Sequence, residues 1–117
     1  MAIEVVRRHV ALARNLYSQL AKRGVNPREQ VKTAAGIADM VTDTAVYTVL
    51  GSVTAERLRN AADHVLACRD ALNPKLRAVM YLTVAKLEGE AARAAAEAKA
   101  RGVTINLWRD GDHIGMH

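Results

Sequence analysis

The sequence predicts an all-α protein, an antiparallel up-down four-helix bundle followed by a short C-terminal β-hairpin. Apolar residues recur every three or four positions over most of the chain. Gly and Pro divide it into four long segments, and short connections between long helices favour antiparallel neighbours. With 117 residues, 50% of them hydrophobic, the chain is long enough for one core. The predicted units are the bundle at residues 1–102 and the hairpin at 103–117.

The first two predicted helices occupy residues 3–50. The first is followed by Gly24, which fits a C-terminal cap. Its apolar stripe consists of Ile3, Val6, Val10, Ala13, Tyr17 and Leu20. The second begins at Pro27, after Asn26 as N-cap, and ends at Gly51. Its apolar positions are Val31, Ala34, Ala35, Ala38, Val41, Ala45 and Val49.

The third and fourth predicted helices occupy residues 54–102. Thr54 is suited to cap the third helix, and Asn73-Pro74 ends it. Its apolar stripe is Leu58, Ala61, Val65, Cys68 and Leu72. The fourth helix runs from Pro74 to Gly102, with apolar positions at Leu76, Val79, Met80, Thr83, Leu87, Ala91, Ala94 and Ala98. These four helices complete the predicted bundle.

Residues 103–117 predict a β-hairpin, because Asp110-Gly111 is typical of a type I′ turn. Folding about this turn places Trp108 opposite His113 on one side. The other side then holds the apolar residues Val103, Ile105, Leu107, Ile114 and Met116. An isolated hairpin is marginally stable in water, so this one needs the bundle, a partner or a second copy to rest on. We expect a partner to contact Trp108, His113, Ile105, Leu107, Ile114 and Met116.

One segment of the third predicted helix suggests an enzyme. The string Arg59-Asn60-Ala61-Ala62-Asp63-His64 resembles the Arg, polar residue and His motif of the HEPN ribonuclease superfamily, whose members are small helical bundles that commonly act as dimers. The resemblance implies that His64 is a general base or acid at a 2′-hydroxyl and that Arg59 holds the phosphate. Asn60 is the polar residue of the motif. A ribonuclease is therefore one alternative function.

Positive charge is concentrated near the N-terminus. The formal net charge is +5, and residues 33–117 contribute nothing to it because their acidic and basic residues are equal in number. The basic residues of the first segment are Arg7, Arg8, Arg14, Lys22, Arg23, Arg28 and Lys32. Such a surface could lie along nucleic-acid phosphates with salt-sensitive affinity, contact an acidic protein, or simply face water. Nucleic-acid binding is the second alternative function.

No metal or cofactor is expected. His113 and His117 are four residues apart, as are His64 and Cys68, and on a helix this spacing places two zinc ligands on one side. In the predicted hairpin, however, residues four apart lie ~13 Å from each other, too far to share an ion. Cys68 lies on an apolar stripe, where a free Cys usually behaves as a small hydrophobic residue.

The sequence contains no other pattern typical of catalysis. Asp39 and Asp43 are four apart in the second predicted helix, but the Glu-x-x-His of di-iron bundles is missing, so we interpret them as a solvated stripe. There is no Gly-rich phosphate loop and no Cys pair. The hypothesis of an enzyme therefore depends on Arg59 and His64 alone.

These observations favour a small non-enzymatic interaction or regulatory protein, with a protein partner or a second copy of itself as its ligand. We expect a homodimer. No apolar stretch approaches the ~20 residues that cross a bilayer, so no membrane partner is expected. A single Cys fits a reducing, cytoplasmic setting.

Overall fold

The computed structural model describes residues 3–84 and 86–107. Within them the chain is an α/β protein with three helices and five strands, so the prediction of an all-α four-helix bundle is wrong. In chain order the elements are α1 (Ile3–Lys22), β1 (Arg28–Thr33), β2 (Gly36–Val41), β3 (Ala45–Leu50), α2 (Ala55–Leu72), β4 (Arg77–Leu82), α3 (Gly89–Ala100) and β5 (Val103–Leu107).

The strands form one mixed sheet in the order β1-β2-β3-β4-β5. The first three strands are antiparallel neighbours, whereas β3, β4 and β5 are parallel to one another and are connected through α2 and α3. Parallel neighbours need such a crossover connection, usually a helix. Helix α1 packs on one face of the sheet and α2 and α3 pack on the other, which gives three layers.

The second predicted helix is instead three strands. Residues 28–50 are rich in Val, Ile and Thr, whose branched side chains favour strands over helices. Gly36 lies at the β1–β2 turn with φ +126°, a backbone conformation that no helix interior contains. Strand β3 is buried along nearly its whole length, as expected for a strand covered on both faces. Apolar residues are so frequent in this segment that they match the three-to-four-residue repeat of a helix by chance.

The fourth predicted helix is a strand followed by a shorter helix. Residues 78–82 are buried without interruption and form most of β4, in the middle of the sheet. A continuous apolar run matches helical spacing as well as strand spacing, and periodicity alone does not separate the two. Helix α3 then begins at Gly89, and the buried Ala94, Ala95 and Ala98 let it approach the sheet closely.

The limits of α1 and α2 agree with the prediction. The Thr54 hydroxyl accepts a hydrogen bond from the Arg57 backbone N–H at 3.1 Å, and α2 ends immediately before Asn73. Gly24 follows α1 with φ +76°. The predicted apolar stripe of α1 is wrong at Tyr17, which is 40% exposed. The buried apolar residues in this part of α1 are Leu12, Leu16 and Leu20.

The core has two parts, one on each face of the sheet. Towards α1, the rings of Tyr47 and Tyr81 stack with centroids 6.3 Å apart, beside Leu12 and Leu16. Burial raises the pKa of the Tyr81 hydroxyl. Towards α2 and α3, the cluster is larger and includes Val46, Leu58, Val65, Met80 and Leu82. No helix within residues 3–84 and 86–107 is both long and apolar enough to cross a membrane.

The β1–β2 hairpin is twisted at one point. Glu29 pairs with Met40 and Val31 pairs with Ala38, while Gln30 between them has φ +51°. Met40 belongs to the cluster beneath α1, but Ala38, two residues earlier, belongs to the cluster beneath α2. Two residues on one strand normally share a face. The twist therefore turns the end of the hairpin towards α2.

Two charged pairs join α2 to α3. The Arg59 guanidinium donates to both carboxylate oxygens of Glu97 at 3.0 and 3.2 Å, and Arg101 donates to Asp63 at 2.6 Å. In each helix the two positions are four residues apart, so the pairs lie one above the other between parallel helices. The hydrogen bond and positive charge of Arg59 lower the pKa of Glu97.

We predict that Leu16→Ala destabilises the protein by about 2–5 kcal/mol, because it opens a cavity under α1. Tyr17→Ala is the matched control. It removes a larger side chain from the neighbouring position, but one that faces solvent, and should cost less than Leu16→Ala. Urea unfolding of both variants measures the difference. A larger loss of stability for Tyr17→Ala would indicate that Tyr17 is buried, as predicted from the sequence, and would contradict the orientation of α1.

We predict that Arg59→Gln raises the pKa of Glu97 towards its ordinary value. Because pairing lowers the folded-state pKa, the pair stabilises the folded protein above the unfolded-state pKa, and this contribution disappears as the pH falls through the folded-state pKa. Carboxyl-carbon NMR titration measures the shift. Arg57→Gln, which removes an exposed charge from the same helix, is the control and should leave the pKa of Glu97 unchanged. An unchanged pKa of Glu97 in the Arg59→Gln variant would contradict the pairing of these two residues.

Candidate functional site

The two edges of the described sheet differ in how they are protected. An edge strand exposes backbone N–H and C=O groups that can pair with another strand, and charged residues or kinks discourage this. Strand β1 has such protection, because Arg28, Glu29 and Lys32 are exposed charges and Gln30 interrupts the regular backbone. Pairing of a further strand onto β1 is therefore disfavoured.

Within the described residues, strand β5 has none of these protections. Its sequence Val-Thr-Ile-Asn-Leu contains no charge, Pro or Gly, and its first three residues are β-branched. It follows β4 in unbroken parallel register from Ala78↔Val103 to Leu82↔Leu107. An uncharged, regular and β-prone edge strand is the kind that accepts another strand. This contrast makes β5 the candidate functional site.

The side chains of β5 alternate between the two faces, as the sequence predicted for this segment. Val103 and Ile105 pack on the cluster beneath α2 and α3, whereas Thr104 is exposed. Leu107 is 43% exposed, although it follows Ile105 in the alternation. The strand predicted at residues 103–107 is present, and its described neighbour is β4. The predicted hairpin turn at Asp110-Gly111 and the second hairpin strand lie outside the described residues. Trp108, His113, Ile114 and Met116, the remaining predicted partner contacts, lie outside the described residues.

Arg59 and His64 of the ribonuclease motif contact different elements. Arg59 is held by Glu97 of α3, and Glu90 lies 3.8 Å from its guanidinium. His64 Nε2 donates to the backbone carbonyl of Ile37 in β2 at 2.8 Å. Asn60 is exposed between them. Arg59 thus forms a surface ion pair between α2 and α3, and the helical bundle that the resemblance implied is not the fold observed.

His64 and Cys68 belong to a small polar cluster beneath the β1–β2 turn. Cys68 Sγ lies 3.6 Å from His64 Nε2 and 3.6 Å from Thr33 Oγ1, and Cys68 is fully buried. A Cβ on Gly36 would stand 3.0 Å from His64 Cε1. The side chains pack closely and hold the turn against α2. Within residues 3–84 and 86–107, no group of three or more His, Cys, Asp or Glu could hold a metal ion.

Asp39 has a role that the sequence analysis missed. It lies in β2, where its Oδ2 accepts hydrogen bonds from the Val49 backbone N–H at 2.9 Å and from the Thr48 hydroxyl at 3.2 Å. Met40 and Tyr47 are paired neighbours in β2 and β3, and next to them the Asp39 carboxylate connects the same two strands. The interpretation of Asp39 and Asp43 as one solvated helix stripe is wrong, because Asp43 lies in the exposed β2–β3 turn. An isolated Asp between apolar residues of a strand was the feature that could have indicated this role.

The structure places the predicted basic residues on α1, on the turn after it and on β1. Arg7 and Arg8 lie in α1, and Arg23 follows it. Arg14, Lys22, Arg28 and Lys32 are exposed, and none forms an ion pair with another described residue. Arg28 lies opposite Val41 in the neighbouring strand, and Val41 packs beneath α2 and α3, so Arg28 and α1 lie on different faces of the sheet.

Comparisons with protein-family models, with curated protein sequences and with solved structures find no match for this chain, so its function has to be inferred from the residues described above.

Proposed function

We propose that this chain is a small non-enzymatic interaction or regulatory protein that forms a homodimer through β5. The unprotected β5 edge, opposite a β1 edge with three charges and a kink, is the observation that supports this most strongly. In the proposed dimer, β5 of one copy pairs antiparallel with β5 of the other. Backbone hydrogen bonds supply the affinity of such strand addition.

A dimer of this kind is closed. Pairing of two identical edges is isologous, so each copy uses the same surface and no free edge remains for a third copy. The two sheets then form one continuous sheet with the charged β1 strands at its outer ends. Charged outer edges protect the assembled sheet from further pairing. The proposed arrangement therefore ends at two chains rather than growing into a fibre.

Two further observations are consistent with the proposal. Leu107 is a large apolar residue that is 43% exposed at the end of β5, where a second strand would cover it. Cys68, the single cysteine of the chain, is free and buried, as in proteins of reducing compartments. We accordingly place the protein in the cytoplasm, as part of the same proposal.

We predict that Thr104→Lys converts the protein from a dimer into a monomer. In an antiparallel β5–β5 pair the new charges lie near each other across the interface, and like charges at that separation are destabilising. Thr104 is exposed, so the lysine should not disturb the core. Ser18→Lys adds the same charge to an exposed position of α1 and is the matched control.

Light scattering on the full-length chains measures the outcome. We expect the mass of two chains for the parent and for Ser18→Lys, and the mass of one chain for Thr104→Lys. A parent protein that remains a single chain at the highest soluble concentration would disprove self-association. A dimer that persists in Thr104→Lys would show that another surface forms it.

A further inference from the structure

We propose that the end of the β1–β2 hairpin, residues 31–38, is a hinged flap that opens away from α2 while the rest of the fold stays intact. This segment is called the flap below. Four features support its opening: its separation from β3, the small apolar surface that it buries, the weak polar contacts that close it and the strained backbone at its base. The inference is independent of the proposed dimer, because β1 and β5 are opposite edges of the described sheet.

The flap is paired within itself but not with the next strand of the sheet. Strands β1 and β2 remain paired as far as the turn between them. In the described residues, however, β2 pairs with β3 only through Met40 and Val41, which both lie beyond the flap. Further along β3, the Val49 backbone N–H donates to the Asp39 carboxylate at 2.9 Å, so a side chain stands where the ladder would continue. The sheet is therefore open between β3 and the flap.

The flap buries little apolar surface. Ala38 is its buried residue, and Val31 packs partly buried against the cluster beneath α2 and α3. Apart from these two and the half-buried Thr33, the residues of the flap are exposed. Local opening of a folded protein requires least free energy where few apolar side chains are buried. The flap therefore opens more readily than the strands in the middle of the sheet.

Two polar contacts hold the flap against α2. His64 Nε2 donates to the Ile37 backbone carbonyl at 2.8 Å, and the Thr33 hydroxyl donates to Cys68 Sγ at 3.6 Å. A hydrogen bond of this kind has a small net contribution to stability, because water replaces the lost partner when the bond breaks. His64 is only half-buried, so water reaches it once the flap moves. These contacts therefore close the flap without fixing it permanently.

Gln30 is the hinge of the flap. Its φ of +51° is a left-handed conformation that residues other than glycine rarely adopt. Hinges are a few residues at the ends of elements that absorb a large change in backbone angle. A return of Gln30 to an ordinary strand φ straightens β1 and lifts the flap away from α2. Strain at the hinge thus favours the open flap, and the contacts with α2 oppose it.

Alkylation of Cys68 by iodoacetamide measures the opening in the full-length chain. Cys68 is the single cysteine, is fully buried and lies beneath Thr33 of the flap, so the reagent reaches its thiol only when the flap lifts. Mass spectrometry gives the rate. We expect slow labelling of the folded chain at a rate that stays constant in urea below the unfolding transition, because flap opening exposes little surface. A rate that rises as steeply with urea as global unfolding, or no labelling before unfolding, would overturn the proposal.

Two substitutions at the hinge should act in opposite directions. Glycine adopts a positive φ without strain, whereas the branched side chain of valine resists it. Gln30 is exposed, so neither change removes a contact with Cys68. We expect Gln30→Val to be labelled at least about fivefold faster than Gln30→Gly, as the cost of a left-handed residue implies. Equal labelling rates in these two variants would show that Gln30 is not the hinge and would contradict the proposal.

Three further variants separate flap opening from global unfolding. His64→Ala removes the hydrogen bond to Ile37 and should speed the labelling about fivefold. Asn60→Ala, at an exposed position one turn earlier in α2, is the control and should keep the parent rate. Val79→Ala weakens the cluster beneath α1, on the opposite face of the sheet, and should lower global stability in urea without changing the labelling rate. Circular dichroism checks that all variants are folded. Faster labelling in Val79→Ala but not in His64→Ala would assign the exposure of Cys68 to global unfolding and overturn the proposal.

Discussion

Burial of β3 and β4 on both faces is the constraint on which the rest of the structure depends. Both strands are almost continuously apolar and lie in the middle of the sheet, so each needs a cover above and below. Parallel pairing between them requires a crossover, which α2 supplies, and α3 repeats the connection to β5. Helix α1 covers the opposite face. The layer that contains the crossovers is consequently built from α2 and α3, which the Arg59–Glu97 and Arg101–Asp63 pairs join.

The same constraint explains which elements could be predicted from sequence. Helices α1 and α2 are amphipathic and have recognisable ends at Gly24 and Thr54, so both were predicted with nearly correct limits. Strand β5 was also recognised, through its alternation. The buried strands were not, because a dense apolar run satisfies helical and strand spacing equally. Because β3 and β4 were not recognised, no sheet was predicted, and the segments that remained were interpreted as a helical bundle.

The candidate site was only partly predictable, for a related reason. Ile105 and Leu107 were identified as contact residues, but their meaning changed once β5 was found to be an edge strand of the sheet. Whether an edge is exposed depends on strand order, which residue patterns do not specify. The basic segment was visible from charge alone. How its cations are divided between the two faces of the sheet required the structure. In the proposed dimer the two-fold axis is normal to the sheet, so the α1 helices of both copies lie on one side.

Amide hydrogen exchange on β5 tests most directly whether this strand pairs with β5 of a second copy. In a parallel edge strand, alternate N–H groups point away from the sheet and exchange readily when nothing covers them. If β5 pairs with a second copy, the outward amides of residues 103–107 exchange slowly at high protein concentration and faster on dilution, while those of β1 do not change. Fast exchange of these β5 amides at every concentration would contradict it, and so would slow exchange that is independent of concentration.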